Sequence, residues 1–330
     1  MTPGTTDRKI DKLVDLFVKN ATVVIPGPKI ANEIGVARST VWDYIERLRE
    51  LGVDIKGHPA TGYQLRKLPD LLLPSLIRPE LGDQEIGQRL VHYFRTGSTN
   101  DDAFKLAHRG APHGTVVVAE EQTAGRGRFG RQWISEKSVG IYSSTLLRPP
   151  LSPAAAPILT LAAGVAVCRA LRSVTGLSPD IRWPNDVLLN GKKVSGILTE
   201  MQAELDRMHA VVLGIGINVN QREMPPEIRA IATSLRIETG VVHSRPQVLV
   251  AMLKELESAY KMLLAEGNAA VVRAFTAASS YARGKKIRVV SNTEEYQATT
   301  AGVEASGALR VAREDGREEL LVAGEIFEVK

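Results

Sequence analysis

The stretch EQTAGRGRFGRQW, Glu121–Trp133, constrains this chain more than any other. It carries three glycines (Gly125, Gly127, Gly130) and three arginines (Arg126, Arg128, Arg131), and it lies between two apolar runs, Thr115–Glu120 and Val139–Leu147. Two strands joined by a flexible, cationic loop is the reading that this order allows. Glycine admits backbone shapes closed to other residues and lets backbone approach a ligand. Arginine offers a permanently charged planar fork matched to carboxylate and phosphate oxygens. The loop therefore suits closure over something anionic, and Trp133 adds a flat apolar surface. The glycines also fit G-x-G-x-x-G, but a dinucleotide site needs a helix next and an acid about 20 residues on. A strand follows here instead. A solvated basic turn is the plain alternative.

With 330 residues and 44% hydrophobic composition, two or three domains with sizeable cores are expected. No apolar run reads as long enough to span a bilayer, and MTPGTTDRKIDK lacks the apolar core of a signal peptide. The single cysteine, Cys168, excludes an internal disulfide and a cysteine-based metal cage. A cytoplasmic enzyme or regulator follows, and the net charge of +5 suits anionic ligands or nucleic acid.

Residues 1–67 read as a winged helix-turn-helix. Ile10, Leu13, Val14, Phe17 and Val18 recur at helical spacing, Pro28–Ile34 is a short second helix, Gly35-Val36-Ala37 a tight turn, and Arg38–Leu51 a third helix. The hairpin Val53–Leu65, bending at Gly57 and Thr61-Gly62, is the wing. Arg38, Ser39, Thr40, Trp42 and Asp43 are the groove-facing candidates for DNA. Asp43 and Glu46 place negative charge on that helix, which a phosphate backbone opposes. A domain for protein contacts is the alternative.

Leu68–Leu81, with prolines at 69, 74 and 79, reads as a linker. An α/β region with a mixed sheet extends over 68–281. It contains a strand His92–Phe94, the segment Gly97-Ser98-Thr99-Asn100 leading into a helix Asp101–His108, an apolar helix Ala155–Val174 holding Cys168, and an amphipathic helix Pro246–Leu264. Ser98 and Thr99 have helix capping as their default role. In IRWPNDVLLNGKKVSGILTEM, Ile181–Met201, Asn190-Gly191 is a strong hairpin signal that sets Lys192 and Lys193 just after a tight turn. VVLGIGIN, Val211–Asn218, is a strand whose Gly214 and Gly216 permit close approach. Residues 282–330 hold short runs Lys286–Val290, Glu295–Val303, Ala308–Arg313 and Glu319–Val329, broken by Ser291-Asn292, Ser306-Gly307 and Asp315-Gly316, which suggests a small β-barrel.

GSTN, EQTAGRGRFGRQW, RWPND, GKKVSGIL and LGIGINVN together resemble the biotin protein ligases in order and spacing. With the helix-turn-helix and the terminal strands, the chain resembles their bifunctional type, biotin–[acetyl-CoA-carboxylase] ligase and biotin operon repressor. The resemblance implies an α/β (α+β) chain with a winged helix-turn-helix, a biotin/lipoate-ligase-like catalytic domain and an SH3-like barrel. It implies two-step chemistry: biotin and ATP, with Mg²⁺, give biotinyl-5′-AMP, which a lysine of the biotin carboxyl carrier protein of acetyl-CoA carboxylase then attacks. It also implies a homodimer on operator DNA.

The roles it implies are these. Ser98, Thr99, Asn100 and Gln122 hold the biotin ring, with Gly196 beside it and Trp133 against ring or stem. Arg126, Gly127 and Arg128 wrap the adenylate, Arg131 reaches the outer phosphates, and Asn218 contributes to the nucleotide site. Lys193 holds the biotin carboxylate and α-phosphate, and Asp186 assists the metal or the incoming amine. No protein metal cage is implied. Thr123 stands where some members have a second glutamine. The alternatives are a ligase whose N-terminal unit does not bind DNA, a biotin-sensing DNA-binding protein without catalysis, which the retained Arg126, Arg128 and Lys193 argue against, and a lipoate-type ligase. The octanoyltransferases of that branch need a pocket cysteine.

Overall fold

The computed structural model describes residues 5–21, 23–204, 208–291 and 294–329, with side-chain burial described from residue 8. Helix α1 (Thr5–Lys19) buries Ile10, Leu13, Val14 and Phe17, while Val18 is only half-buried. Helix α2 (Gly27–Ile34) carries Pro28 in its first turn and ends at Gly35, whose φ of 65° closes the helix in the left-handed region. The expected third helix starts later than its sequence suggests. Arg38–Thr40 forms a 3₁₀ turn, and α3 (Val41–Glu50) follows. Ala37 provides no side-chain cap; its carbonyl accepts from Thr40 N at 2.9 Å, which closes the 3₁₀ turn. The wing is β1 (Ile55–His58) paired with β2 (Gly62–Leu65). Gly57 is not at a bend, as expected, but in the ladder opposite Tyr63.

Residues 68–81 are not a free linker. Leu71, Leu72 and Leu73 are buried, and 74–81 forms α4 (Pro74–Leu81). In an extended run successive side chains point to opposite faces. Leu71 and Leu73 join the core of the winged unit, and Leu72 joins the core of the central region. Asp11 of α1 accepts hydrogen bonds from Ser75 N and Oγ at 3.3 and 2.9 Å. Of the prolines that signal a linker, Pro74 starts α4, Pro79 lies within it, and Pro69 stands in the irregular run before it.

The central region is a seven-stranded mixed sheet in the order β3-β4-β5-β9-β8-β7-β6. Its strands are β3 (Leu90–Tyr93), β4 (Thr115–Ala119), β5 (Gly140–Leu147), β6 (Asp180–Arg182), β7 (Asp186–Leu189), β8 (Lys192–Ala203) and β9 (Met208–Asn218). Only β3 and β4 are parallel. Helix α5 (Thr99–His108) packs on one face, with Val117 and Ala119; α6 (Ala156–Thr175) and α8 (Arg245–Glu266) cover the other, with Val116 and Val118. By length and composition 153–175 is apolar enough to cross a membrane, contrary to the sequence reading. Here most of it is buried between the sheet and α8. Cys168 lies in α6, its thiol donating to Pro179 O, and burial raises its pKa to about 11. Two further helices were not expected from the sequence, α7 (Leu235–Thr239) and α9 (Asn268–Ala278).

The terminal unit is an antiparallel sheet in the order β13-β12-β11-β10-β14, compatible with a small barrel. Its strands are β10 (Lys286–Val290), β11 (Glu295–Val303), β12 (Leu309–Arg313), β13 (Glu318–Leu321) and β14 (Glu325–Glu328). The expected single run Glu319–Val329 is two strands, because the chain turns at Val322–Gly324 and β14 pairs with β10. Asn292 of the expected Ser291-Asn292 turn lies outside the described residues.

Candidate active site

Four segments of the central sheet converge on one cleft of about 230 Å³. The first is the loop between β4 and β5. It folds on itself: Gly127 N donates to Arg131 O at 2.7 Å, and Trp133 N to Gly125 O at 2.9 Å. Phe129 and Gly130 turn it with φ of 56° and 72°. Gly125 cannot be replaced without movement, since a Cβ there would meet Trp133 O at 2.5 Å. The Trp133 indole packs closely against glycine backbone. A Cβ at Gly196 would come within 2.9 Å of its ring, and one at Gly216 would overlap it. The close approach that the glycine pattern of β9 permits is thus used by side chains: the indole fills Gly216, and the Asn100 amide fills Gly214. Trp133 Nε1 is buried without a protein partner, a donor left for a ligand.

The second segment is the start of α5. Ser98 takes the N-cap position but makes no side-chain cap. Thr99 donates from N and Oγ1 to Gln122 Oε1 at 2.8 and 3.0 Å, and Gln122 Nε2 donates to Ser135 Oγ at 2.9 Å. These groups form a buried polar end to the cleft.

The third segment is the β7–β8 hairpin. Asn190 (φ 48°) and Gly191 (φ 75°) make the tight turn expected from their sequence. Lys193 Nζ stands 2.6 Å from Asp186 Oδ1 and 5.4 Å from the Trp133 ring centroid. Arg182 meets the other oxygen of Asp186 at 2.7 Å. Burial alone would raise the pKa of Asp186, but the charges of Lys193 and Arg182 hold it below the usual carboxylate range. The fourth segment, 219–232, contributes an apolar wall of Met224, Pro225, Ile228 and Ile231. Asn218 anchors it, donating to Thr233 O at 2.9 Å, so its amide nitrogen is already engaged.

Each loop arginine has a protein partner. Arg126 lies 2.8 Å from Asp101 and 3.1 Å from Glu200, and its pKa is raised by the Asp101 hydrogen bond, the Glu200 charge adding to it. Arg128 donates to Asn185 Oδ1 at 3.2 Å and to Gly324 O at 3.1 Å, and burial lowers its pKa. Arg131 forms a two-pronged pair with Glu325 at 2.8 and 2.5 Å. The terminal sheet therefore docks directly onto the loop.

The structure brings together Ser98, Thr99, Asn100, Gln122, Arg126, Gly127, Arg128, Arg131, Trp133, Asp186, Lys193, Gly196 and Asn218. The DNA candidates are elsewhere, on the winged unit, where Arg38 and Ser39 are exposed and Trp42 is 59% exposed. Sequence reasoning missed Ser144, Asn185, Glu200, Glu325 and the 219–232 wall. Ser144 had a signal, a hydroxyl inside a buried strand, and Glu200 another, an acid closing the apolar run GILTE. Glu325 had none, since its role depends on where β14 docks.

This constellation places the chain within a class, and comparison with known proteins gives that class its name. Residues 93–218 match the biotin/lipoate A/B protein ligase family, and residues 9–64 match an HTH domain. The chain is 39% identical over 310 residues to the bifunctional ligase/repressor BirA of Bacillus subtilis (strain 168), spanning 92% of this chain and 94% of that protein. It is 35% identical over 239 residues to the biotin–[acetyl-CoA-carboxylase] ligase of Paracoccus denitrificans, spanning 71% of this chain and 98% of that one. The structure of the biotin protein ligase from Aquifex aeolicus in complex with biotin and ATP matches with a TM-score of 0.65 and 31% identity, over 74% of this chain and 99% of that chain. The chain belongs to the biotin protein ligases of this family, and its relationship to the bifunctional members runs nearly its whole length.

Proposed function

We propose that the chain activates biotin with ATP, transfers it to a lysine of the biotin carboxyl carrier protein of acetyl-CoA carboxylase, and represses transcription as a homodimer on operator DNA in the cytoplasm. The observation that carries the ligase reading is the convergence of Arg126, Arg128, Arg131 and Lys193 on one cleft whose far end is the Thr99–Gln122 pair. A biotin carboxylate and a polyphosphate repel, and fixed positive charge offsets that repulsion at the point of reaction.

The carboxylate oxygen attacks the α-phosphorus, forming a C(O)O–P bond as the bond to pyrophosphate breaks. Lys193 meets both the carboxylate and an α-phosphate oxygen, a role supported by its position in the cleft beside Asp186 and the Trp133 ring. Arg126 closes on the adenylate, and Arg131 exchanges Glu325 for an outer phosphate. Mg²⁺ enters as part of the MgATP substrate. In the second step the carrier amine attacks the biotinyl carbonyl and AMP leaves, with Asp186 at hand to orient the amine. Closure of the cleft protects the mixed anhydride from water.

Cys168 argues against the octanoyltransferase alternative, because it is buried in α6 away from the cleft. For DNA, exposed Arg38, Ser39 and Trp42 at the start of α3, beside a paired wing, support the repressor reading. Incubation with biotin and α-labelled MgATP tests the ligase. The labelled product should be biotinyl-AMP, and an adenylate formed with another acyl acid but not with biotin would overturn the assignment. A mobility shift on the promoter of the host's biotin synthesis genes tests the repressor.

A further inference from the structure

The three arginines of the loop differ in what balances their charge. Arg128 donates to uncharged oxygens, Asn185 Oδ1 and Gly324 O. Arg131 faces one carboxylate, that of Glu325. Arg126 stands between two: its Nη2 lies 2.8 Å from Asp101 Oδ1 and 3.1 Å from Glu200 Oε2. One guanidinium between two carboxylates leaves an excess of negative charge at neutral pH. As it stands, this corner of the loop opposes an anion, although Arg126 itself lines the cleft. Among the described residues lining that cleft neither Asp101 nor Glu200 appears, so the two acids hold the guanidinium from outside it.

The two acids are not equivalent. Glu200 also accepts from Asn100 Nδ2 at 2.6 Å, so it keeps a partner when Arg126 leaves. Asp101, in the first turn of α5, is committed to Arg126 itself. That contact is half open to water, with the Arg126 side chain 38% and the Asp101 side chain 46% exposed. An ion pair so exposed is worth little and is easily traded. A phosphate oxygen inside a closed, water-poor cleft offers the same guanidinium a stronger, charge-assisted bond.

We propose that Asp101 is a positioning residue that competes with the ligand for Arg126, drawing the guanidinium towards the rim and so shortening the stay of the biotinyl adenylate. The proposal rests on the ligase reading of the site. Its chemical sense lies in the second step. An intermediate that a carrier amine must reach cannot be enclosed permanently, and an acid at the rim gives the closing arginine a second place to rest.

The test is a chase. Labelled adenylate is formed on the full-length protein from biotin and α-labelled MgATP, and its release is followed after adding excess unlabelled biotin and MgATP. Asp101→Asn keeps the shape and removes the charge, and it should slow release by about two- to fivefold, the worth of a half-exposed ion pair. Loss of a first-turn acid also weakens the start of α5 against its dipole. A merely structural role therefore predicts a lower thermal midpoint with unchanged or faster release, the opposite sign. In an Arg126→Ala background the same substitution should alter release by less than about 1.5-fold, since nothing is left to compete for. Asp101→Ser repeats the measurement if Asp101→Asn does not fold. A parent protein that forms no biotinyl adenylate would sink the ligase reading itself. A parent that forms it, with release unchanged or faster in Asp101→Asn, would overturn the competition. Equal slowing with and without Arg126 would overturn it too, and would assign the effect to the field of the carboxylate alone.

Discussion

Replacing Arg245 with methionine should cost the protein several kcal/mol, and the cost should depend on pH. Arg245 opens α8 with its side chain fully buried. Its guanidinium lies 2.7 Å from Glu120 and 3.0 Å from Asp70, and it donates to Gly140 O at 3.2 Å and to Asp70 O. Glu120 is equally buried and also accepts from Leu72 N at 2.8 Å. Burial alone would raise the pKa of Glu120. The Arg245 charge, the His92 hydrogen bond and the Leu72 amide hold it at about 2 instead of 4.5. A carboxylate with a depressed folded pKa stabilises the protein above its unfolded pKa and loses that contribution as pH falls through the folded value. Here the contribution is about 3 kcal/mol, present above about pH 4.5 and lost towards pH 2. Arg245→Met leaves the Glu120 carboxylate buried without its cation, which costs about 3–5 kcal/mol at neutral pH. The gap should shrink on acidification, because the variant gains by protonating Glu120. Urea unfolding followed by tryptophan fluorescence at about pH 7 and about pH 4 measures both. Adding Glu120→Gln should return part of the loss. A destabilisation below about 1 kcal/mol, or one unchanged between the two pH values, would refute the reasoning.

Arg126→Ala should speed release of the biotinyl adenylate about tenfold or more, since a charge-assisted hydrogen bond is lost; unchanged dissociation in a chase with unlabelled biotin would remove Arg126 from the closing role. Hydrogen exchange across 121–133 should slow on adding biotin and ATP, as the arginines exchange protein carboxylates for ligand, and equal protection with and without ligand would count against that exchange. A chain lacking residues 1–67 should still form adenylate, because every site residue lies beyond the deletion, but its thermal midpoint should fall. It uncovers Leu71 and Leu73 at about 1.5–3 kcal/mol each, and a folded truncation without adenylate would show tighter coupling between the domains. Asp43→Ala should strengthen operator binding in a mobility shift more than Glu46→Ala does, because Glu46 is already paired with Arg49 at 2.5 Å; equal gains would mean that the Arg49 pair screens nothing.

Elements with a strong local signal were legible in the sequence. The Asn190-Gly191 turn, the strand Gly140–Leu147, and the helices carrying Cys168 and Leu249 stand where their residues put them, because turn chemistry and apolar periodicity are local. The cleft-lining residues of the loop were legible for a different reason: glycine and arginine alternate there, and that pattern is local to one loop. What was not legible depends on distant partners. Leu71–Leu73 reads as the edge of a linker until two cores claim its two faces. Glu325 gains its meaning only when β14 reaches Arg131, 194 residues away. Glu200 and Ser144 were visible as polar residues in apolar strands, but their contacts with Asn100, Thr99 and Arg126 cross β5, β8, α5 and the loop, and no linear pattern contains them.

The run Leu71–Leu73, shared between two cores, also sets a limit on how such a protein could read DNA. A winged unit on a slack tether would adapt to half-sites at many separations. This one is fastened at Leu71, Leu73 and the Asp11–Ser75 contact, so it moves with the ligase body. In the proposed homodimer, if two copies join through their ligase bodies, the gap between their wings is dictated by that joint, in the manner of a caliper locked at one opening. The preferred spacer in an operator then becomes a measurement of the dimer. Inserting or removing a few base pairs between half-sites should abolish binding outright rather than weaken it by degrees.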